Sequence, residues 1–293
     1  MTHVEVVAPG ALTTIQDLGR PGWAHIGVPR SGAGDRPALV LANRLVGNHD
    51  GAAALETTLA GPRLRFNGAT DIALTGAPVR ARVGERAVPM NEAFRVAAGD
   101  ELRVGNASSG LRTYVAFRRG IEIPLVLGSA ATDALTGLGP APLARGDVLS
   151  VKAGPGGGRT IWPPAPEPPP VTDLPNSVVL RYLVGPRSDW FTDQSVKRLG
   201  SDPFTVDQAS NRIGLRLQGP PLERSRLGEL PSEGLVPGAI QVPGDGQPIL
   251  LLADHPTTGG YPVIAVVHSH DLPLAAQLRP GQRITFRAAG LEP

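Results

Sequence analysis

A mainly β protein, organised as two β-rich domains with a few short helices, is what this 293-residue sequence predicts. Three observations carry the prediction. Glycine (37) and proline (31) recur along the whole chain without a fixed period, and 41% of the residues are hydrophobic. That combination argues for short strands and tight turns around real cores rather than for disorder. Apolar–polar alternation returns in many runs bounded by Gly, Asn and Asp, the punctuation of barrels and sandwiches. Helical periodicity appears in only three places.

In chain order, the strand-like runs begin with "VEVVAPG", "RLRFNG", "TDIALTG", "VRARVG", "AFRVAAGDELRVG", "RTYVAFRRGI" and "DVLSV". Among them lies the first helix, "DRPALVLANRLVGN", with Asp35 as N-cap, Pro37 in the first turn and Gly47 at the stop. Ala38, Leu41, Ala42 and Leu45 share its predicted apolar face. Next comes "AGPGGGRTIWPPAPEPPPVTDLPN", residues 153–176, where seven prolines fall between Pro163 and Pro175. Such a segment reads as a semi-rigid spacer or wrapping arm, with Trp162 pinning it to a surface. The predicted domains are therefore 1–152 and 177–293, joined by 153–176. The second half continues with "SVVLRYLVG", "NRIGLRLQG", "PILLLADH", "YPVIAVV" and "RITFRAAG". Its helices are "SDWFTDQSVKRLG", capped by Ser188 or Asp189, and "DLPLAAQLRPG", capped by Asp271 and stopped by Pro280-Gly281.

Composition removes several function classes. No run approaches the roughly 18 apolar residues that suggest a membrane span, and the N-terminus lacks a basic region followed by an apolar block. A cytoplasmic location is the expectation, with no membrane partner. The absence of cysteine removes disulfides, thiolate metal sites and cysteine nucleophiles. The net charge is only +2, and the pI near 9.4 reflects arginines that do not titrate. They are spread among acids rather than clustered, so no nucleic-acid partner is expected. No Walker loop and no G-x-S-x-G elbow occur, and "GPGGGR" sits in the proline-rich segment rather than between a strand and a helix.

Four regions hold residues of chemical interest. His255, His268 and His270 with Asp254 or Asp271 pose a metal question, but two histidines on one strand face are half a tetrahedral site, so no metal is predicted. In "GALTTIQDLGRPGWAHIGVPRSGAGD", Asp17 and Arg20 can orient one another, and Gly19 and Gly22 permit close backbone approach. Capping and loop closure explain the same residues equally well. Glu56 and Glu233 have small or apolar neighbours, an environment that raises a carboxyl pKa and suits acid/base work. Gln241 presents an amide between Ile240 and Val242, either to a substrate or to a backbone group.

Taken together, "TTIQDLGRPGWAHIGVPRSGAGD", "ANRLVGN", "ALETTLAGP", "VGPRSDWF", "SNRIGLRLQGPPL", "SEGLVPGAIQVPGDGQPILLLADHPTTGGYPVIA" and "DLPLAAQLRPG" resemble allophanate hydrolase subunit 2. That family is also described as biotin-dependent carboxyltransferase and as the C-type subunit of 5-oxoprolinase. The resemblance implies cyclophilin-like β-barrel architecture, with residues 177–293 as the barrel domain and 1–152 as a β-rich one. It implies a B-type subunit resembling allophanate hydrolase subunit 1, an A-type lactam-hydrolase subunit, and a small amide or lactam substrate. The implied reaction is ATP-dependent opening of 5-oxoproline to glutamate, with ATP and Mg bound in the complex, on a partner where this chain lacks a nucleotide loop. Biotin would be supplied by another protein, since neither Lys152 nor Lys197 lies in an attachment motif. Implied catalytic residues are Glu233 as acid/base, Asp17, and Arg20 as anion partner. Implied substrate-binding residues are Ser31, Asp35, Gln241, Thr257, Thr258, Gly259, Gly260 and Tyr261. The chain departs from the family pattern at Val263, where lysine is common, and at Gly34, where methionine is common and glycine would loosen the turn. Two alternatives accompany this reading: a carboxyltransferase component of a urea carboxylase or allophanate hydrolase system, and a non-catalytic regulatory or scaffold subunit.

Overall fold

Strands dominate the computed structural model, which describes residues 1–152, 174–226, 228 and 230–290. The predicted linker, apart from Leu174, Pro175 and Asn176, lies outside the described residues, as does Trp162. Residues 1–20 and 31–152 form one compact unit, and residues 21–30 with those from 174 onward form the other.

The first unit holds two sheets. One has seven strands, in the order Ile121–Glu122, Val148–Val151, Thr2–Ala8, Arg63–Phe66, Glu101–Ala107, Val79–Val83 and Arg86–Val88. The other has five, in the order Leu12–Gln16, Ala54–Thr58, Arg112–Phe117, Thr70–Gly76 and Ala93–Val96. One core joins them, with Val4, Val6, Leu64 and Phe66 from the first and Ile15, Leu55, Leu74 and Phe117 from the second. On the other face of the five-stranded sheet lies helix α1, Arg36–Leu45, packed on the strands Thr70–Gly76 and Arg112–Phe117. Asp35 caps it as predicted, accepting from the Ala38 N–H at 3.1 Å. The buried face is Ala38, Leu39, Ala42 and Asn43, rotated from the predicted one, with Leu41 and Leu45 half-buried.

Two neighbouring strands of this sheet show why sequence periodicity passed them by. Leu12–Gln16 and Ala54–Thr58 are buried on both faces although they carry Thr13, Thr14, Gln16, Glu56 and Thr57. A strand with polar side chains on a covered face shows no apolar–polar alternation.

The second unit closes as a seven-stranded barrel: Ser177–Val184, Val263–Val267, Ala239–Gln241, Ile249–Leu251, Gly214–Gln218, Phe204–Val206 and Arg283–Ala288. Phe204, Leu217, Ile240, Leu250, Ile264 and Phe286 fill its core. The seam is parallel, with Ser177 opposite Arg283 and Tyr182 opposite Ala288, and every other pairing is antiparallel. Helix α2, Asp193–Ser201, packs on Arg283–Ala288 and is capped by the Thr192 hydroxyl, which accepts from the Ser195 N–H at 3.2 Å. The predicted caps, Ser188 and Asp189, instead belong to a separate 3-10 turn, Ser188–Trp190. Helix α3 spans only Leu272–Ala276.

Asp271 does not cap α3, contrary to the sequence expectation; its carboxylate faces Arg181. Oδ2 accepts from the Arg181 backbone N–H at 2.7 Å, and Oδ1 accepts from Nη2 at 2.7 Å. Burial pushes the Asp271 carboxyl up, but the hydrogen bonds from Arg181 outweigh it and hold it below the usual carboxylate range. A depressed folded value contributes stability that is present above the unfolded pKa of about 3.9 and is lost as pH falls through the folded value. Asp271→Asn should therefore shrink the acid-dependent loss of stability below about pH 4, read as thermal midpoints of both proteins against pH. Arg181 is half-exposed, so the difference stays modest.

Candidate functional site

Two groups of predicted residues occur, one in each unit. In the first unit, the strand Leu12–Gln16 runs into a turn whose backbone is approached closely by another. Gly32, at φ 94°, has no room for a side chain: a Cβ would stand 2.7 Å from the Gly19 nitrogen. The Ala33 N–H donates to the Asp17 carbonyl at 2.9 Å, and Gly19 itself is left-handed. Here glycine serves approach of backbone to backbone. Gly34, by contrast, has no left-handed φ, and its N–H donates to Glu56 Oε2 at 2.9 Å, so the turn is anchored rather than loosened.

Asp17 and Arg20 do not orient one another. Asp17 Oδ1 accepts from Gly19 N–H at 2.7 Å and from the Ser129 hydroxyl at 2.6 Å, while Oδ2 accepts from Ala130 N–H at 2.7 Å. The Arg20 side chain is fully buried; Nη2 donates to the Ala131 carbonyl, and Nη1 stands 3.9 Å from Asp133 Oδ2. Ser31, buried at φ 52°, donates to the Thr132 carbonyl at 3.2 Å. The segment 129–133 thus gathers Asp17, Arg20 and Ser31, and it brings in Thr132 and Asp133, which sequence reasoning missed.

Glu56 was expected to have a carboxyl raised by apolar neighbours. It is instead a paired carboxylate: Arg112 Nη1 donates to Oε1 at 3.0 Å, and the Tyr114 hydroxyl donates to Oε2 at 2.7 Å. Tyr114 in turn accepts from the Asp35 N–H at 2.8 Å. Burial, followed by the Glu56 and Asp35 carboxylates, raises the Tyr114 phenol well above its usual value, so it stays a donor. This set ties the start of α1 to the five-stranded sheet.

In the second unit, Glu233–Gly234 and Thr258–Gly259 pair as a two-stranded ribbon, Glu233 opposite Gly259. The Leu235 N–H donates to the Thr257 carbonyl at 2.9 Å, extending the ribbon. Gln241, buried in the barrel strand Ala239–Gln241, donates from Nε2 to the Tyr261 carbonyl at 3.1 Å. A Cβ on Gly259 would meet that same Nε2 at 2.8 Å, so the glycine is required by the close approach of Gln241. Thr258, Gly260 and Tyr261 are exposed, and Thr257 is half-buried. The structure therefore brings together all seven predicted residues of this unit, with Gln241 as the support beneath an exposed turn.

Arg187 completes the group and was not singled out from the sequence, although it lies within "VGPRSDWF". Its Nε donates to Glu233 Oε2 at 3.0 Å, and its Nη2 donates to Oε1. The guanidinium holds the Glu233 carboxyl below its ordinary range, which overturns the expected upward shift. Val263, where a cation was expected from the family pattern, is buried with Ala239 and Leu251 beside Leu235, Ile249 and Val266. The residue supports the ribbon's base through apolar contact.

The histidines stand apart from this chemistry. His255 is buried with Nδ1 2.7 Å from the Pro256 carbonyl, and His268 and His270 stack with ring centroids 5.0 Å apart. Among the described residues, no group of three or more His, Asp or Glu side chains is placed to hold a metal ion. No described helix is long and apolar enough to cross a membrane. The N-termini of α1 and α2 are occupied by their own side chains: the Asp35 carboxylate at α1, and the Thr192 hydroxyl with Asp193 at α2.

A family model described as carboxyltransferase domain, subdomain A and B, matches residues 26–288. The 5-oxoprolinase C-type subunit of Escherichia coli (strain K12) is 38% identical over 99% of this chain and 92% of its own length. Urea amidolyase of Lachancea kluyveri is also 38% identical, over 96% of this chain but only 17% of that protein. Among solved structures, the K. lactis urea amidolyase superposes with a TM-score of 0.90 at 34% identity, covering 98% of this chain and 19% of that one.

Proposed function

From a chain that belongs to the family of the carboxyltransferase domain, subdomain A and B, we propose the C-type subunit of an ATP-dependent 5-oxoprolinase, opening 5-oxo-L-proline to L-glutamate. One observation carries this choice over its relatives. The correspondence with a C-type 5-oxoprolinase subunit runs nearly end to end on both sides, whereas the urea amidolyases contain it as a small part of a far longer chain. The protein then acts as an enzyme component, in a complex that also needs a B-type subunit and an A-type lactam hydrolase.

An unstrained lactam is a poor electrophile, and its opening develops charge on the amide oxygen. Donors fixed in place before the reaction stabilise such charge best. The exposed turn Thr257 to Tyr261 offers hydroxyls and backbone N–H groups on a ribbon held by Gln241. Glu233, kept ionised by Arg187, suits the role of proton acceptor rather than acid. Asp17, Ser31 and Asp35 shape the loops of the first unit through the hydrogen bonds already described. We assign ATP with its magnesium to a partner protein, in keeping with the lack of a Walker loop in this chain, and no step here runs through it.

Mixing the purified subunits with 5-oxoproline and ATP is expected to release glutamate and phosphate. Glu233→Gln should lower kcat by about 10²–10⁴-fold while the complex still assembles. Absence of turnover with all three subunits present would sink the reading. The alternative, a carboxyltransferase component of a urea carboxylase system, is favoured by the close superposition on urea amidolyase. It predicts avidin-sensitive activity that depends on a separate biotin carrier.

A further inference from the structure

The barrel unit holds an open cleft of about 440 Å³ between the segment from Pro221 to Gly228 and the turn from Gly244 to Gly246. That volume suits a small organic molecule. Backbone bonds fix its walls: the Leu222 N–H donates to the Gly246 carbonyl at 2.9 Å, and the Gly246 N–H donates to the Pro243 carbonyl at 3.1 Å. Gly246, at φ 76°, permits this approach, because a Cβ there would stand 2.9 Å from the Pro221 side chain. At Gly228 and Gly244 an added Cβ would meet nothing within 4 Å, so the cleft opens on their side.

Four charged side chains line the cleft, Glu223, Arg224, Arg226 and Asp245. Arg226 is already spent, since its Nη2 lies 2.7 Å from Asp189 Oδ2. The other three belong to no ion pair among the described residues, although charges of both signs face one space. Arg224, half-buried at the wall, uses only Nη2, which donates to the Val242 carbonyl, and its Nε has no hydrogen-bond partner. Asp245 Oδ1 accepts from the Gln247 N–H at 3.0 Å, which leaves Oδ2 to the cleft. Polar groups held away from water are nearly always paired, and an unmet donor is costly.

This unspent charge selects the ligand. A simple carboxylate or phosphate would meet Arg224 but also two carboxylates of its own sign, and a simple amine would leave Arg224 unmet. A molecule that carries an ammonium and a carboxylate on one carbon answers both. We infer that the cleft binds a zwitterionic α-amino acid: Arg224 donates to its carboxylate, Glu223 and Asp245 accept from its ammonium, and Pro221 with Leu222 faces an apolar side chain. This assignment adds a ligand site to the barrel and does not depend on the reaction proposed above.

The test follows the backbone N–H resonances of Gly228, Gly244 and Gly246 in the full-length ¹⁵N-labelled chain during titration with L-leucine. Saturable shifts are expected. N-acetyl-L-leucine, which has no ammonium, and L-leucinamide, which has no carboxylate, should each bind about tenfold or more weakly, the loss of one charge-assisted contact. Arg224→Gln and Glu223→Gln should each weaken L-leucine binding by a similar factor. Arg216→Gln, at an exposed barrel position that does not line the cleft, should leave it unchanged. If loss of the Val242 contact disturbs the fold of the Arg224 variant, Glu223→Gln decides, since the Glu223 side chain holds no described residue in place. Resonances unmoved by L-leucine up to its solubility limit would overturn the assignment. So would either blocked analogue binding as tightly as L-leucine, or a folded Glu223 variant that binds like the parent.

Discussion

Glu56→Ala is expected to destabilise the first unit by about 3–5 kcal/mol, read by hydrogen exchange of the amides in Arg112–Phe117 under mild denaturant. The magnitude follows from what the substitution leaves behind. Arg112 loses its carboxylate inside a sheet where it is 3% exposed, the Tyr114 hydroxyl loses its acceptor, and the Gly34 N–H loses its bond. Removing one partner of a buried ion pair costs far more than the pair contributes, because desolvation of the survivor is no longer offset. Glu56→Gln keeps the shape and an acceptor oxygen, so it should cost less. A loss under about 1 kcal/mol for Glu56→Ala would mean that this pair behaves as a surface contact.

A comparable loss is expected in the barrel for Asp254→Ala, again about 3–5 kcal/mol. Arg212 reaches Asp254 through two parallel bonds, Nε to Oδ2 at 2.8 Å and Nη2 to Oδ1 at 3.0 Å, with Asp254 entirely buried. The same backbones are tied, since the Asp254 N–H donates to the Arg212 carbonyl at 3.0 Å. Chemical denaturation of the single variant, compared with Arg212→Met/Asp254→Leu, separates two terms. The double variant should recover most of the loss, because an apolar pair of similar volume leaves no charge unpaired. Equal losses in both would place the effect in packing rather than in the ion pair.

How far the chain could be read without its fold differs by element, for physical reasons. Helix α1 was legible because local chemistry alone marks it: Asp35 caps, Pro37 fits the first turn, and Gly47 is left-handed at the stop. The outer strands were legible because one face meets solvent, as in Val79–Val83. Leu12–Gln16 and Ala54–Thr58 were not, since burial of their threonines and of Gln16 and Glu56 depends on neighbours distant in sequence. The exposed turn Thr257 to Tyr261 declared itself through its paired glycines. Arg187, Thr132 and Asp133 did not, because their partners, Glu233 and Arg20, lie 46 residues or more than a hundred residues away. Small neighbours suggested raised carboxyls at Glu56 and Glu233; distant segments bring Arg112 to the first and Arg187 to the second, and at Glu233 the arginine lowers the carboxyl instead.

The parallel seam between Ser177–Val184 and Arg283–Ala288 also governs the order in which the barrel can be made. Its two edges are the first and last strands of that unit, so on the ribosome the opening strand waits with one edge unpaired until residues 283–288 have emerged. Pairing across so long a separation is slow, because loop closure precedes any gain from contact. Until then the row of free N–H and C=O groups on Ser177–Val184 is a template for another chain. Closure of this seam is therefore expected to be the slow, aggregation-exposed step in folding of the barrel.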